Sequence, residues 1–247
     1  MQQAHLPVAG ARYWIALSIA SVFGANSGDF VARYLHLGHV GGLPALALLL
    51  VLVFVAERRD SSGHQAYYWS AIIVVRTAAT NLADFGASDL RLGRPGLTVA
   101  LSVLLAAALF FTPPAKAGQA SNRWPFGLPV TDARYWACML IAGTLGTVIG
   151  DMASFNSGLG TAYASLIEGG ILVAVLLVGR TGPLANLWFY WLTVVTVRAA
   201  GTSVGDLLAH DVFGLAMSTL VTGVIFVLIL LVWRERTPYR LRSTEAA

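Results

Sequence analysis

The stretch ARYWACMLIAGTLGTVIGD occupies residues 133–151 and decides the fold. It is apolar apart from Arg134, two threonines and the aspartate that closes it, and Asp151 follows Trp136 by fifteen residues. A second stretch, ARYWIALSIASVFGANSGD at residues 11–29, has the same beginning, spacing and end. Nineteen residues of helix rise about 28 Å, which is close to the thickness of a bilayer core. The stretch therefore predicts a membrane-spanning helix that ends on a carboxylate.

This pattern, an aromatic–tryptophan pair followed by an aspartate, occurs four times along the chain. Its aspartates are Asp29, Asp84, Asp151 and Asp206, and each follows one small residue directly and a second small residue by five positions. A shift of 122 residues aligns the two halves of the chain, and a shift of 55 aligns the two quarters of each half. Because two spans return the chain to the same side, such units are parallel repeats.

The composition indicates a membrane protein. The 247 residues are 57% hydrophobic and 11% charged, with a mean hydropathy of +0.70. A soluble domain needs more charge than this to cover its surface. The apolar segments predict eight spans, at residues 12–33, 40–56, 67–88, 95–112, 134–156, 160–178, 187–209 and 213–233.

We therefore expect an all-α membrane protein of eight transmembrane helices, an internal duplication of a four-helix half made of helical hairpins. The first four-helix repeat is predicted at residues 1–112 and the second at residues 133–236. Residues 113–132 form the predicted cytoplasmic linker, and residues 237–247 the cytoplasmic tail. The four tryptophans should lie in the inner headgroup belt, and the four aspartates about 22 Å away, at one level near the outer face.

The net charge of +4 is explained by membrane orientation, without a nucleic-acid partner. Basic residues concentrate in the termini and loops on one side of the predicted spans, which predicts an inner-membrane protein with both termini cytoplasmic. The single cysteine, Cys138, excludes an internal disulfide. The expected partners are the lipid bilayer and a small inorganic ion or solute, and the sequence leaves a homo-oligomer open.

The four aspartates are the candidate site. Facing inward together, they would bind a hard divalent cation such as Mg²⁺ or Mn²⁺, the only bound group expected, or they would share protons. The alternative is that each caps a helix or pairs with an arginine. Polar residues three or four positions earlier share their helix face and extend the candidate site; these are Asn26, Thr80, Asn81, Thr147, Thr202 and Ser203.

Two arginines and one glutamate complete the candidate site. Arg76 and Arg198 occupy matched positions seven residues after their tryptophans. Three roles stay open for them: pairing with the aspartates, binding an anionic substrate, or extending to the inner interface. Glu168 has no counterpart in the first half, where Leu46 takes its place, and so breaks the symmetry at the same depth as Asp151.

Other chemistry has little support in the sequence. His36, His39 and His210 lie in predicted outer loops, where they are either solvated or metal-entry ligands. No hydrolase, nucleotide-binding or zinc motif occurs, so we expect no enzyme activity. The leading hypothesis is a transporter or channel-like carrier for a cation, either a divalent metal such as Mn²⁺ or a proton-coupled ion. The alternative is a non-transporting scaffold or sensor whose polar seam only packs helices.

The four motifs also resemble a known family. The chain is similar to bacterial membrane-anchored proteins built from a membrane repeat of unknown function with Gly-Asp and Tyr-Trp hallmarks. The resemblance covers nearly all of residues 11–233 and is carried by Gly24-x3-Gly28-Asp29, Asn81-Leu-Ala-Asp84-Phe85, Gly143-Thr-Leu-Gly-Thr-x2-Gly-Asp151 and Gly201-x3-Gly205-Asp206. It implies the same multi-helix fold. It also implies a carboxylate beside the first motif, where this chain has Ala25.

Overall fold

The computed structural model describes residues 6–7, 9–60, 64–111, 128–179 and 186–233. Within these ranges the chain forms helices and connecting segments and no β-strand. Residues 113–127 of the predicted linker and the whole predicted tail lie outside the described residues. The all-helical prediction is confirmed for the part of the chain that is described.

Nine α-helices occupy the described ranges: α1 (Ala11–Asp29), α2 (Gly38–Gly41), α3 (Leu43–Arg59), α4 (Ala66–Asp84), α5 (Gly93–Phe110), α6 (Ala133–Asp151), α7 (Gly160–Gly179), α8 (Leu187–Asp206) and α9 (Leu215–Val232). Four of them, α1, α4, α6 and α8, end on the predicted aspartates and are called the inner helices below. Helices α3, α5, α7 and α9 are called the outer helices.

Side-chain caps fix where two of the inner helices begin. The Asp132 carboxylate accepts a hydrogen bond from the Tyr135 amide at 3.0 Å. The Asn186 side chain accepts one from the Phe189 amide at 2.9 Å. Each cap satisfies a backbone N–H that the first turn of a helix leaves without a partner. These two caps place the tyrosine–tryptophan pairs of α6 and α8 in the first turn.

Length and composition mark the chain as a membrane protein. Seven helical segments in the described ranges are long and apolar enough to cross a bilayer. The segment that contains α4 is not among them, because it carries Arg76 and several polar residues. That helix is buried by its neighbours, so it needs less hydrophobicity than a helix that faces lipid. The outer helices, in contrast, expose large apolar side chains such as Val51 and Phe110.

The inner helices pack in a closed ring. Helix α1 contacts α4, α4 contacts α6, α6 contacts α8, and α8 contacts α1. Each outer helix packs on the inner helix of the next hairpin: α3 on α4, α5 on α6, α7 on α8, and α9 on α1. The last hairpin thus closes on the first, and all four inner helices surround one axis.

Small residues allow the inner helices to approach closely, as their spacing predicted. A Cβ atom built on Gly24 of α1 would lie 2.4 Å from the Cβ of Arg76 on α4. One built on Gly201 of α8 would lie 2.4 Å from the Cβ of Ser21 on α1. Real Cβ atoms do not come this close, so a larger residue would push the helices apart. Backbone contact across small residues is how membrane helices pack tightly.

Candidate functional site

The four aspartates occupy equivalent places in the structure. Each is the last residue of its inner α-helix, and the helix continues without a break into one π-helical turn. These turns are Phe30–Tyr34, Phe85–Asp89, Met152–Asn156 and Leu207–Val212. Single π-helical turns are rare and are found frequently at functional sites. The change of helix type at each aspartate therefore identifies this end of the ring as the candidate site.

One pocket brings all four aspartates together. Its empty volume is about 350 Å³, part of which is open to the outside. The lining residues are Ala25, Asp29, Arg33, Thr80, Asp84, Arg94, Asp151, Phe155, Thr202, Asp206 and His210. The aspartates are at least half-buried, and Asp151 and Asp206 are only 9% and 7% exposed. Four acids from four helices thus converge at one end of the axis.

The carboxylates surround the pocket without forming one coordination shell. Among the described residues, no three carboxylate, imidazole or thiol groups lie close enough together to hold a metal ion. A bare divalent cation needs several oxygen ligands within about 2.0–2.6 Å. The pocket in this conformation therefore suits a cation that keeps water around it, or protons on the carboxylates.

Two arginines outside the inner α-helices pair with the aspartates. The Arg33 guanidinium lies 3.6 Å from the Asp29 carboxylate, one helical turn further along the chain. The Arg94 guanidinium, from the start of α5, lies 3.8 Å from the Asp151 carboxylate. The spacing of four residues between Asp29 and Arg33 is a signal that sequence reasoning overlooked. Nothing in the sequence indicates the Arg94 pair, because it depends on how α5 packs on α6.

The predicted outer-loop position of the histidines is wrong for two of them, because His39 lies in α2 and His210 in the π-helical turn after α8. His210 lines the pocket, and its Nδ1 lies 3.0 Å from the carbonyl oxygen of Asp206. His39 pairs with Asp89, nitrogen to oxygen, at 3.0 Å. His36 is a turn residue with a φ of 54° and is not among the lining residues.

Arg198 crosses the axis below the pocket and binds the other three inner helices. Its guanidinium donates to the Thr147 hydroxyl and the Ser21 carbonyl at 2.8 Å each, to the Thr80 hydroxyl at 2.5 Å and to the Arg76 carbonyl at 3.2 Å. The side chain is fully buried. Arg198 is therefore a central cross-link whose partners are all neutral oxygens.

Arg76 is equally buried but has no such partners. None of its three guanidinium nitrogens has a hydrogen-bond partner among the described residues. Its electrostatic neighbours are the hydroxyls of four tyrosines at the far end of the axis. A buried charge without a partner is costly in a membrane interior.

The predicted arginine–aspartate pairing is wrong for both of these arginines. Within the described residues, neither Arg76 nor Arg198 lies within 4.0 Å of a carboxylate oxygen. Both are 0% exposed, so neither extends to the interface. The physical reason is depth: the arginines leave their helices two turns before the aspartates, and the hydroxyl and carbonyl groups at that level reach Arg198 first.

The polar residues predicted to share a face with the aspartates lie on two different faces of their helices. Thr80 and Thr202, four residues before their aspartates, line the pocket, and Thr147 at the same position bonds Arg198. The residues three positions before the aspartates face the outer helices instead. Asn26 donates to the Ser218 hydroxyl on α9 at 2.5 Å, and the Asn81 amide is buried without a hydrogen-bond partner among the described residues. Asn26 and Asn81 thus do not line the pocket, because one residue turns a helix by about 100°.

Glu168 lies beside the pocket, between α7 and α8. It is 6% exposed, and its Oε2 accepts a hydrogen bond from the Ser203 hydroxyl at 2.6 Å. Ser203 also lies 3.3 Å from the Ser154 hydroxyl, which belongs to the π-helical turn after α6. Glu168 therefore contacts the site through serines and is not itself a lining residue.

The opposite end of the axis is closed by a ring of four tyrosine hydroxyls. The oxygen–oxygen distances around the ring are 3.0 Å for Tyr13–Tyr68, 2.6 Å for Tyr68–Tyr135, 3.1 Å for Tyr135–Tyr190 and 2.8 Å for Tyr190–Tyr13. Each hydroxyl can donate once, so a closed ring satisfies all four donors. The sequence contained the signal, a tyrosine at one fixed position in every repeat, but the tyrosines were not assigned a role.

The tryptophans pack around this tyrosine ring. Trp14, Trp69, Trp136 and Trp191 are 2–9% exposed, and each contacts the tyrosine of a neighbouring helix at a centroid distance of 5.5–5.8 Å. The rings therefore face neighbouring helices and not lipid, and their depth at the inner headgroups stays a prediction. Aromatic pairs across the axis bury more apolar area than an interfacial position would.

Comparison with known proteins finds similarity to one repeat family, and the function of that family is unknown. A family model described as "Repeat of Unknown Function (DUF347)" matches the chain twice, at residues 134–179 and 189–237. Each match covers nearly all of one inner helix and the whole outer helix that follows it, which is consistent with the repeat unit found in the sequence. No curated protein and no solved structure is similar enough to the chain to count as a match.

Proposed function

We propose that the protein is a multipass membrane carrier for a small cation, with the aspartate pocket as its binding site. One observation carries the proposal: four aspartates from four helices line a single pocket at one end of a closed helical ring. Acids within membrane-spanning segments are costly and mark ion or proton pathways. A purely structural role would require a partner for each acid, and the Asp206 Oδ2 atom is buried without one among the described residues.

The geometry of the pocket favours a cation that keeps its water, because no three ligating side chains among the described residues lie close enough together to hold a bare ion. Mg²⁺ and similar ions give up water reluctantly and are often held by one or two carboxylates together with their own waters. We therefore propose a hydrated divalent cation such as Mn²⁺ or Mg²⁺, exchanged against protons on the same carboxylates.

The charges along the axis attract a cation into the pocket and oppose its movement beyond it. Among the lining residues, four aspartates and the two arginines Arg33 and Arg94 leave a formal charge of −2 when all are ionised. Arg198 and Arg76 lie deeper on the axis and repel a cation that moves past the pocket. Transport therefore requires the Arg198 cross-link to shift, which makes Arg198 the proposed gate.

The remaining features of the proposal concern topology. We propose that the tyrosine end of the ring faces the cytoplasm and the aspartate end the outside of the inner membrane. The excess of basic residues near the tyrosine end, such as Arg12, Arg58 and Arg134, supports this orientation. We also propose that the chain arose by internal duplication of a four-helix half. The matched places of the four aspartates and four tyrosines support that origin.

The experiment is a flux measurement with purified protein in proteoliposomes. Vesicles contain a Mn²⁺-quenched dye and, in parallel, a pH-sensitive dye, and Mn²⁺ is added outside. Wild type should admit Mn²⁺, and Asp151→Asn should reduce the rate by at least tenfold. Asp89→Asn is the matched control, because Asp89 lies at the same end of the bundle but outside the pocket.

The result also decides whether the aspartates matter for transport. If wild-type vesicles admit Mn²⁺ and Asp151→Asn vesicles admit it at the same rate, the pocket is not the transport site. If Asp89→Asn loses flux as completely as Asp151→Asn, the effect is one of surface charge rather than of the pocket.

A second candidate function is a non-transporting membrane scaffold or sensor. The packing of the bundle favours this function, because buried side chains fill its centre below the pocket. These are the side chains of the tyrosine ring, the tryptophans and Arg198. In that case neither Mn²⁺ nor protons cross wild-type vesicles under any gradient. Each Asp→Asn substitution would then lower thermal stability by the same amount with and without added cation.

A further inference from the structure

We propose that the helical bundle contains a buried binding site for a small monovalent anion of the chloride type, separate from the aspartate pocket. Arg76 is its charged ligand, and Gly143 on the neighbouring helix provides the space. The site does not depend on the cation-carrier function. It lies in one layer of the inner helices, where a fully buried guanidinium has no hydrogen-bond partner among the described residues.

This layer consists of the residues that precede the four aspartates by eight positions, about 12 Å of helix. We call it the arginine layer, and its members are Ser21, Arg76, Gly143 and Arg198. The matched residues four positions earlier, towards the tyrosine ring, are apolar and fully buried; they are Leu17, Ile72, Met139 and Val194. The arginine layer therefore lies between the aspartate pocket and an apolar layer.

The two arginines of the layer differ because their surroundings differ. Arg198 donates from its Nε atom to the Thr147 hydroxyl at 2.8 Å. A shift of 122 residues puts Ala25 at the matched place for Arg76, and the alanine side chain offers no acceptor. The Thr202 hydroxyl, matched to the second threonine that Arg198 binds, is buried without a hydrogen-bond partner among the described residues. Arg76 therefore does not repeat the bonds of Arg198.

Gly143 leaves space beside the Arg76 guanidinium. A Cβ atom built on Gly143 would lie 3.9 Å from Arg76 Nη1 and 3.1 Å from the Cβ of Ala79. Apart from the adjoining residues and backbone of α6 itself, no third heavy atom of the described residues lies within 4 Å of that point. The other three members of the arginine layer carry a side chain at this position. The room for one small side chain thus adjoins a guanidinium without a partner.

The charge of the layer favours an anion as the ligand. A guanidinium stays protonated in proteins, and the layer contains two of them. Within the described residues no carboxylate oxygen lies within 4.0 Å of either arginine, and the partners of Arg198 are all neutral oxygens. A buried charge is costly unless it is paired. A water molecule would accept a hydrogen bond from Arg76 without offsetting its charge, whereas an anion does both.

The size of the space restricts the anion to a single atom. Room for one small side chain accepts a halide ion and excludes gluconate, phosphate and carboxylate substrates. The guanidinium is weakly hydrated, so it pairs best with ions that lose water easily, which favours chloride and bromide over fluoride. Ala25 and Thr202 line the floor of the aspartate pocket one helical turn above the arginine layer, so the pocket reaches to about 6 Å from the site.

The first test follows thermal unfolding of the full-length protein in detergent while sodium chloride replaces sodium gluconate at constant ionic strength. EDTA is present, so no divalent cation contributes. Chloride at 100 times its dissociation constant should raise the melting temperature of wild type by about 5–11 °C and leave that of Arg76→Met unchanged. Arg12→Gln, which removes an exposed positive charge, is the matched control and should respond like wild type. No rise in wild type, or an equal rise in Arg76→Met, overturns the site.

The second test measures binding of radioactive chloride by equilibrium dialysis. Wild type and Arg12→Gln should bind one chloride per chain, which bromide displaces and gluconate does not. Gly143→Ala should weaken binding at least tenfold, because its Cβ occupies the space beside Arg76. Binding of equal strength in Gly143→Ala overturns the placement of the ion.

Both tests are independent of the cation-carrier function, because neither uses Mn²⁺ or a vesicle. Chloride binding that requires Arg76 supports the anion site even if wild-type vesicles carry no Mn²⁺. A wild type that carries Mn²⁺ but binds no chloride overturns the anion site and leaves the carrier function standing.

Discussion

The two buried arginines should respond in opposite ways to the same substitution. Arg76→Met and Arg198→Met each replace a fully buried guanidinium by an apolar side chain of similar length at matched positions. Arg198 loses three hydrogen bonds of 2.8 Å or shorter, to Thr147, Ser21 and Thr80. Arg76 loses none to the described residues. Only the contacts differ between the two variants.

The hydrogen bonds that each arginine makes determine how much its substitution changes the free energy of unfolding. Hydrogen bonds to a charged group contribute about 1.5–3 kcal/mol each. Removing the buried charge itself returns several kcal/mol of desolvation cost, so Arg198→Met should destabilise the protein by about 2–4 kcal/mol. Arg76→Met returns the desolvation cost without losing a bond, so it should be neutral or stabilise by about 1–4 kcal/mol. Whatever the exact values, Arg198→Met should be less stable than Arg76→Met.

The assay is thermal unfolding of the purified protein in detergent, followed by tryptophan fluorescence. At roughly 2–4 °C per kcal/mol, Arg198→Met should lower the melting temperature by about 5–15 °C, and Arg76→Met should leave it unchanged or raise it. Arg198→Lys is the control for geometry, since lysine keeps the charge but cannot reach three helices at once. An equal fall in the two methionine variants would refute the reasoning, because it would mean that Arg76 is held as firmly as Arg198.

Three further outcomes are expected. Tyr13→Phe should cost about 1–3 kcal/mol in unfolding free energy, because it leaves a buried hydroxyl without a donor or acceptor; the double variant with Tyr68→Phe should cost less than the sum of the two single variants, because the two tyrosines share one hydrogen bond of the ring, and strict additivity in a double-mutant cycle would argue against that bond. Gly201→Ala should lower the melting temperature markedly, since its Cβ would lie 2.4 Å from the Cβ of Ser21, whereas Gly170→Ala, where nothing lies within 4 Å, should not; similar melting temperatures for both would contradict the close packing. Asp132→Ala should cost about 1 kcal/mol by removing the cap on Tyr135 N, and Asp132→Asn, which keeps an acceptor oxygen, should restore most of it.

Most of the architecture follows from patterns that repeat along the chain. The helices, the small-residue contacts and the convergence of the aspartates all depend on one unit recurring at fixed spacing, and helix geometry turns that spacing into position. The depth of Asp151, for example, follows from its distance to Trp136 and the rise of a helix. A regular pattern is predictable because each copy constrains the others.

The details that the sequence did not predict come from contacts between units. Trp136 packs against the ring of Tyr68 on the neighbouring helix, a contact that its spacing did not predict. Pairing with an aspartate was one of the roles left open for Arg198, but hydroxyls on α6 and on α4, across the ring, lie nearer. Arg94 reaches Asp151 only because α5 packs on α6. Each of these outcomes depends on which helix lies beside which, and spacing along one chain does not encode that.

The most direct test of the central proposal is whether the aspartate pocket binds a cation at all. Thermal unfolding of wild type, Asp151→Asn and the control Asp89→Asn is measured across a Mn²⁺ titration in detergent. A ligand at 100 times its dissociation constant stabilises the folded state by about 2.7 kcal/mol, which is roughly 5–11 °C for a protein of this size. We expect that rise in wild type and Asp89→Asn and none in Asp151→Asn. Equal stabilisation of all three proteins, or of none, would contradict cation binding by the four aspartates.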